Sequence, residues 1–408
     1  SGRIATKTLP DGVTLTYDYH PLGFMNRLDS SDGKIQHAFD YNLLGHLKYA
    51  VDEKQGITIS RQIDPFGNVL QEIFPQGLEI KKDYDDFNRL TLLKIRDQGE
   101  ILYAYDPLFL RKIIRTSSRG DTLYSHTYED YDEDGNLITE NLIGNLGSVT
   151  HEMDPRGYNE CISSPYFSQQ CRYDSVGDLI SNITDGAEDL YSYDELSQLS
   201  CENNASQSLT YTYDSLYNRT QKNGKVHGVN VLNEILATEN SRCSYDLNGN
   251  QISKQGPSGI SRFIYDPLNR LVEVVSEKQK LNFVYDPLGR RLSKTVYTQT
   301  AYGWKEADRE NYLYHDQYEI GALSLDNESK NLRVLGFNKH KNNPTTVSVE
   351  LEGQCFASIL DVQSNIRRLV GMNTRTVESR YDCTAFGEEA QTASHQVGLF
   401  NPWRFASK

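Results

Sequence analysis

A short pattern of Tyr-Asp, two further turn residues, Gly or Asn, and Arg recurs along this chain. Its fixed period constrains the fold more than any other feature does. The best copies are Tyr265-Asp266-Pro267-Leu268-Asn269-Arg270-Leu271 and Tyr285-Asp286-Pro287-Leu288-Gly289-Arg290-Arg291, whose central aspartates lie 286 − 266 = 20 residues apart. Further copies are anchored at Asp64, Asp85, Asp106, Asp132, Asp154, Asp174, Asp194, Asp214 and Asp246. Three weaker ones replace the aspartate: Tyr19-His20-Pro21-Leu22-Gly23, Tyr41-Asn42-Leu43-Leu44-Gly45 and Val229-Asn230-Val231-Leu232-Asn233. The last divides the gap between Asp214 and Asp246 into 230 − 214 = 16 and 246 − 230 = 16 residues. The array therefore runs without a linker over residues 1–295, and residues 296–408 form a second region of different character.

Each copy reads as a hairpin turn. In Asp286-Pro287-Leu288-Gly289 the Asp stands at turn position i, Pro pre-sets φ at i+1, and Gly closes at i+3, the composition of a type I turn. Residues alternate before the turn, so Leu209, Tyr211 and Tyr213 share one strand face, and a second strand such as Arg270-Leu271-Val272-Glu273-Val274 follows it. Two strands and two turns fill a twenty-residue period. A lone hairpin is marginal in water, so the units are expected to pair edge to edge in one long antiparallel sheet that winds under its natural twist.

Composition agrees with an all-β wall. The hydrophobic fraction is 37%, below the roughly 45–50% of ordinary globular chains, while 27 Tyr stand against 3 Met and 2 Trp. A one-layer shell needs less apolar filling than a solid globule. Tyr suits it by offering a large ring with a hydroxyl that stays wetted. The residues expected to build the wall are Asp266, Pro267, Asp286, Pro287 and Gly289 at turns, and Tyr211, Tyr213, Tyr265 and Tyr285 between hairpins. If Gly289 needs a positive φ, its replacement by Val destabilises the hairpin.

These motifs resemble those of the Rhs or YD-repeat family of bacterial polymorphic toxins and their animal relatives, the teneurins. The resemblance continues past the array. Tyr312-Leu313-Tyr314-His315, Glu319-Ile320-Gly321-Ala322, Tyr381-Asp382, Ala385-Phe386-Gly387-Glu388 and Asn401-Pro402-Trp403-Arg404-Phe405-Ala406 follow the order of the Rhs-associated core. The chain departs from the family where it reads Asp361-Val362-Gln363-Ser364-Asn365 in place of a His-x-x-Gly-Asn step, and where Cys383 replaces Pro. The resemblance implies a hollow β-shell that encloses a C-terminal toxin or effector polypeptide of the same precursor. It also implies delivery through secretion-system components and a location outside the cell or at a bacterial surface. Ser1-Gly2-Arg3 carries no initiator Met or leader, and no self-cleavage segment follows Lys408, so the chain reads as an internal piece of a larger polypeptide.

Other functions find little support. The charge, 42 − 56 = −14, and the absence of basic runs exclude a nucleic-acid binder. No apolar stretch approaches the roughly 18–20 residues of a spanning helix. The six cysteines make no C-x-x-C pair and read as free thiols. The nine dispersed histidines include no paired metal spacing, and Gly144-Asn145-Leu146-Gly147-Ser148 lacks the Lys of a phosphate loop and reads as a turn. No catalytic, cofactor or metal site is expected, since most carboxylates are turn residues. Four sequons, Asn182, Asn204, Asn218 and Asn327, would matter only in a glycosylating pathway. The alternative to a container is a surface adhesion module that binds glycans or a protein partner on its outer wall.

Overall fold

The computed structural model describes residues 2–336, 344–389, 394–395 and 399–404. Among these every regular element is a β-strand, apart from two three-residue 3-10 turns at Pro75–Gly77 and Ile143–Asn145. Consecutive strands pair antiparallel in two long sheets, one built from strands of residues 6–226 and the other from strands of residues 228–395. The second 3-10 turn holds Gly144 at φ 62°, so that glycine-rich stretch is a turn.

The alternation read from sequence is visible as burial. Along Phe167–Tyr173 buried and exposed residues alternate up to the Tyr, which is half-buried, and Ser208–Tyr213 repeats the pattern with Leu209 and Tyr211 buried. One face of each strand is thus removed from water, as a period of two requires.

At the turns the ladder slips by one residue immediately before the repeat Tyr. The shift falls between Ile264 and Tyr265, between Val284 and Tyr285, and likewise before Tyr19, Tyr41, Tyr84, Tyr105, Tyr131, Tyr173, Tyr193, Tyr213 and Tyr245. The slip leaves one residue of the return strand unpaired, Leu292 in the hairpin of Tyr285, a bulge that strengthens twist and lies beyond the left-handed residue closing the type I turn. The sequence pattern shows the turn; the bulge was not read from it.

The chain groups into two compact units, neither continuous in sequence. One comprises Ser1–Asp97 with Val226–Glu328, the other Gln98–Lys225 with Ser329–Lys408. Both draw on early repeats and on later segments, so the units cut across the division at 295/296. The first buries Ile57, Ile59, Ile80, Leu93 and Ile95. The second contains a dense cluster of Val349, Leu351, Phe356, Ile366, Leu369, Tyr381 and Trp403.

Candidate functional site

The repeated chemical unit is a box built by one carboxylate. The Asp286 Oδ1 accepts the backbone N–H of Leu288 at 2.9 Å and of Arg290 at 2.8 Å, and its Oδ2 accepts Arg290 Nε at 2.8 Å. The Gly289 N–H closes the turn on the Asp286 carbonyl at 3.1 Å. Asp266 repeats the arrangement: Oδ1 accepts from Leu268 and Arg270, and Oδ2 from Arg270 Nε at 2.6 Å. Pro267 is buried and Pro287 half-buried in these turns. The Asp–Arg spacing therefore fastens the first and last residues of the turn. Copies without Asp keep the box. Asn230 accepts from Leu232 and Glu234 while donating to the Glu234 carboxylate, which reverses the polarity of the clamp.

Further boxes escape a search for Tyr-Asp, among them one at Ser117, whose hydroxyl accepts from Arg119 and Asp121. Asp361 Oδ1 accepts from Gln363 and Asn365, so the departure at Asp361–Asn365 keeps the fold of the repeat turn. Ser324 and Thr384 form the same turn, with hydroxyls accepting the N–H of Glu328 and Glu388 at 3.2 Å. Hydroxyls substitute for Asp in such turns, though more weakly.

Several repeat tyrosines spend their hydroxyl on a backbone carbonyl of the preceding hairpin. Pairing of Leu271–Val275 with Gln279–Tyr285 ends at Glu273 opposite Asn282, which leaves the Leu271 carbonyl beyond the ladder. Tyr285 donates its hydroxyl to that carbonyl at 2.9 Å. Tyr173, Tyr193 and Tyr213 do the same to Asn159, Leu179 and Leu199, at 3.0, 2.9 and 2.7 Å. In each case the preceding ladder stops two residues short of the acceptor. The phenol thus stands in for a missing rung where neighbouring hairpins splay, and it can do so only because the bulge turns it that way. Arginine bridges in the other direction, with Arg270 Nη1 donating to the Asp286 carbonyl of the next repeat at 2.9 Å. Tyr265 holds the same register position opposite Leu271 and is half-buried. Tyr211, by contrast, is buried, donates to Glu202 Oε2 at 3.3 Å, and packs edge-on against Phe386 at 4.8 Å. Tyr285→Phe is expected to lose about 0.5–1.5 kcal/mol, the net worth of one hydrogen bond. A melting temperature identical to that of the parent would show the phenol to be dispensable.

The closing position of the repeat turns is left-handed, except in the shorter turn at Asp106. Gly289 has φ 85° with open space where a Cβ would stand, and Asn88, Asn233 and Asn269 lie near φ 60°. Ser197 and Tyr217 adopt the same conformation at φ 57° and 65°, without the freedom of Gly or the local hydrogen bonding of Asn. Gly289→Val is expected to cost about 1–2 kcal/mol from backbone strain alone, and Tyr217→Gly to gain up to about 1 kcal/mol. Opposite shifts in melting temperature are the expected result; shifts of the same sign would contradict the assignment.

Buried charge joins distant hairpins inside each unit. In the first unit the Arg290 guanidinium forks onto Glu72 at 2.9 and 2.9 Å, lies over the Phe74 ring at 4.9 Å, and keeps its own Asp286. Arg61 shares Glu72 at 2.8 Å, and Lys82 meets Asp316 at 2.6 Å. In the second unit Glu350 receives Arg115 at 2.9 Å and the Tyr124 hydroxyl at 2.6 Å, while Arg368 binds Asp185 at 2.6 Å and Asp382 at 3.0 Å. These pairs lie up to 235 residues apart in sequence, so no local pattern announces them. Their only signal is a charged residue, such as Glu72 or Lys82, where the alternation calls for an apolar one.

One cluster has the makings of a site. His126, Glu140 and His151 stand on three adjacent strands, Thr122–Tyr131, Leu137–Asn141 and Ser148–Met153. Glu140 pairs across with Tyr128 on one side and Val149 on the other, which puts each histidine on its diagonal. Nε2 of His126 and of His151 lies 3.0 and 3.1 Å from different oxygens of that one carboxylate. The three line a cavity of about 220 Å³ together with Tyr128, Thr346 and Ser358. The sequence reading missed this convergence because the spacing lies across strands. Among the described residues no three His, Cys, Asp or Glu side chains are arranged to hold a metal ion.

Burial by itself would raise the Glu140 carboxyl, but the hydrogen bonds and charge of His126 and His151 outweigh it and hold it well below the usual carboxylate range. Its folded pKa is thus depressed, so its contribution is fully present above the unfolded value near 4.3 and is lost as pH falls below it. The stability gap between the parent and Glu140→Gln is expected to narrow from about pH 6 to about pH 3. A gap independent of pH in urea titrations would refute this.

Six free cysteines are present, with Cys171 buried and the other five half-buried. No helix among the described residues is long and apolar enough to cross a membrane. Of the motif Asn401–Ala406, Asn401 to Arg404 are placed and Phe405 and Ala406 lie outside the described residues.

Tandem hairpins boxed by Tyr, Asp and Arg build a β-wall that is similar to known proteins. Residues 162–315 match the family model described as Teneurin YD-shell. The whole chain shares its fold with the crystal structure of TcdB2-TccC3 without hypervariable C-terminal region, at 14% identity and a TM-score of 0.68. That match covers 100% of this chain and 24% of the other, so the chain spans about a quarter of that protein's length. A Photorhabdus luminescens Tc holotoxin pore also matches, at 12% identity, over 93% of this chain and 27% of the other, with a TM-score of 0.36. No curated protein matches in sequence. The chain thus resembles the teneurin-type YD shell over residues 162–315 and shares the all-β hairpin fold of TcdB2-TccC3 along its length.

Proposed function

We propose that this chain is a stretch of wall in a YD-repeat shell that encloses a polypeptide, a toxin or effector carried by the same precursor, and holds it until delivery outside the cell. The observation that carries this reading is the whole-chain likeness to TcdB2-TccC3, a protein whose solved form is described as lacking a hypervariable C-terminal region. The side chains support it. The repeated Asp, Tyr and Arg are consumed in fastening turns and bridging hairpins, which suits a wall more than a reactive surface.

The reading is tested on the full-length product of the native gene by adding protease. A polypeptide segment that survives digestion in the intact protein, and is degraded once the wall is opened by mild denaturant, is the expected result. Complete digestion of everything outside the repeats under native conditions would remove the container reading. Saturable binding of the folded chain on a glycan array would then favour adhesion.

A further inference from the structure

Within the first unit, Ser1–Asp97 and Val226–Glu328 meet across a seam of buried charge. The late segment supplies Arg290, forked onto Glu72, and Asp316, whose Oδ1 accepts Lys82 Nζ at 2.6 Å. The strand Gly303–His315 ends at this point. Its last residue, His315, is 5% exposed, and the ring Nε2 lies 3.4 Å from Oδ2 of the same Asp316. Lys82 is 2% exposed, and Arg61 adds its charge to that carboxylate from the early side. Asp316 itself is exposed, so water weakens the counter-charge it offers to the two buried groups. A proton on His315 would therefore bring a further buried cation to an acid whose charge Lys82 and Arg61 already match.

A second buried imidazole lies on the early side. His37, in the strand Gln36–Tyr41, and Asp52 are both fully buried, with Nε2 and Oδ2 3.4 Å apart but outside hydrogen-bond geometry. Neither nitrogen of the ring has a hydrogen-bond partner among the described residues, and Asp52 Oδ1 is spent on the N–H of Lys54 and of Gln55. The late turn at Asp266 also acts on this ring, with Arg270 opposing a proton and Asp266 favouring it. Charging an imidazole so placed removes an ion from water with little to replace the lost solvation.

We propose that His315 and His37 make this seam an acid-sensitive latch: mild acid frees the late hairpins of the first unit from the early ones, while the second unit keeps its packing. Burial and the Lys82 charge push the His315 imidazole well below its ordinary range, and Asp316 opposes them only in part. Burial pushes His37 down as well, against Asp52 and with Arg270. Both folded values thus lie below the unfolded value near 6.5. The stability tied to them is complete above about pH 6.5 and falls as pH drops below it, because the unfolded state then binds protons that the folded state refuses. The second unit answers differently. Its Glu140 is held low by His126 and His151, so the loss there begins only below about pH 4.3. Burial raises its Asp189 and Glu202, which take up protons in the folded state, so mild acid favours that state. The latch does not rest on what the wall encloses, so it stands or falls apart from the container reading.

Hydrogen exchange of the 408-residue chain, corrected for the chemical rate at each pH, tests this. Between about pH 7 and about pH 5, protection of Glu79–Tyr84 and Gly303–His315 is expected to fall by about tenfold or more, while Thr345–Leu351 and Ile366–Gly371 keep theirs. Gln takes up no proton in this range, so His315→Gln is expected to lose about tenfold less protection to acid than the parent does. Lys82→Met leaves Asp316 to His315 and is expected to shrink the acid loss as well, which replacing a merely structural lysine would not do. The carbon-bound ring protons of the folded parent give a reading that needs no variant. By nuclear magnetic resonance, His315 and His37 are expected not to titrate between about pH 7 and about pH 5, and titration of either near about pH 6.5 would overturn the latch. Equal acid loss in both units, or a variant as acid-sensitive as the parent, would overturn it too.

Discussion

Glu72→Ala is expected to cost about 3–5 kcal/mol, the largest effect of any single polar substitution in the first unit, because it strips the buried Arg290 of its forked partner and leaves it Asp286 alone among carboxylates. The guanidinium is 3% exposed, it makes both of its forked bonds to Glu72, and Arg61 loses its acceptor at the same time. The pair is not the source of net stability that its geometry suggests, since desolvating two ions offsets most of their attraction. Its value lies in register. Only one alignment of the hairpin at 286–290 against the strand Val69–Ile73 joins both ions, and a slip would bury each alone. The double variant Glu72→Met with Arg290→Met is expected to recover part of the loss, the remainder being the cost of buried Asp286 without Arg290 and of Arg61 without Glu72. Thermal unfolding of the three variants decides the matter: a double variant as unstable as the single one would mean that the ionic bond itself carries the stability.

Trp403→Ala is expected to cost about 3–5 kcal/mol in the second unit through transfer and cavity terms together. Trp403 is 2% exposed and packs within the cluster of Val349, Phe356, Ile366 and Leu369, with the Arg333 guanidinium 5.2 Å from its ring. Asn401 sets its approach by accepting the Trp403 N–H at 3.0 Å and donating back to its carbonyl at 3.1 Å, and the Arg404 carbonyl accepts from Ile366 at 2.9 Å. The short Asn-Pro-Trp-Arg motif is thus a plug for the core. Phe400→Ala, at a side chain 66% exposed, serves as control and is expected to change stability by less than about 0.5 kcal/mol. Equal losses from the two substitutions, read from urea unfolding midpoints, would show that Trp403 is not a plug.

The turns were legible because their chemistry is local. An Asp that must reach backbone N–H groups two and four residues on, and a Gly or Asn that must take positive φ, leave marks within five residues of one another. Asp266, Asp286 and Gly289 could be named from sequence for that reason. Ser197, Tyr217 and Ser364 hold the same left-handed conformation without a residue that prefers it; there the surrounding ladder imposes the shape and local preference is overruled. Ser324 and Thr384 escaped for the opposite reason, since a hydroxyl does the work of the carboxylate and no Tyr-Asp announces it. The role of the repeat Tyr was half legible. Its ring position follows from alternation, but its hydroxyl bond depends on a bulge and on where the neighbouring ladder ends. Contacts between distant hairpins were not legible at all. Arg290 is a turn residue in sequence and a buried forked ion in the fold, and only tertiary packing makes the difference.

The low apolar content has two sources in the structure. Strands bury one face, as a wall does, and part of that buried face is ionic or polar, with Glu72, Lys82, Arg115, Glu202, Arg290 and Arg368 all nearly inaccessible.

The most direct test of the container account is a cryo-electron microscopy map of the full-length product of the native gene. The account predicts hairpin walls built from this segment around density for additional polypeptide that is not part of the walls. Walls around solvent alone, with every residue of the product traced into hairpins or the surface, would contradict it.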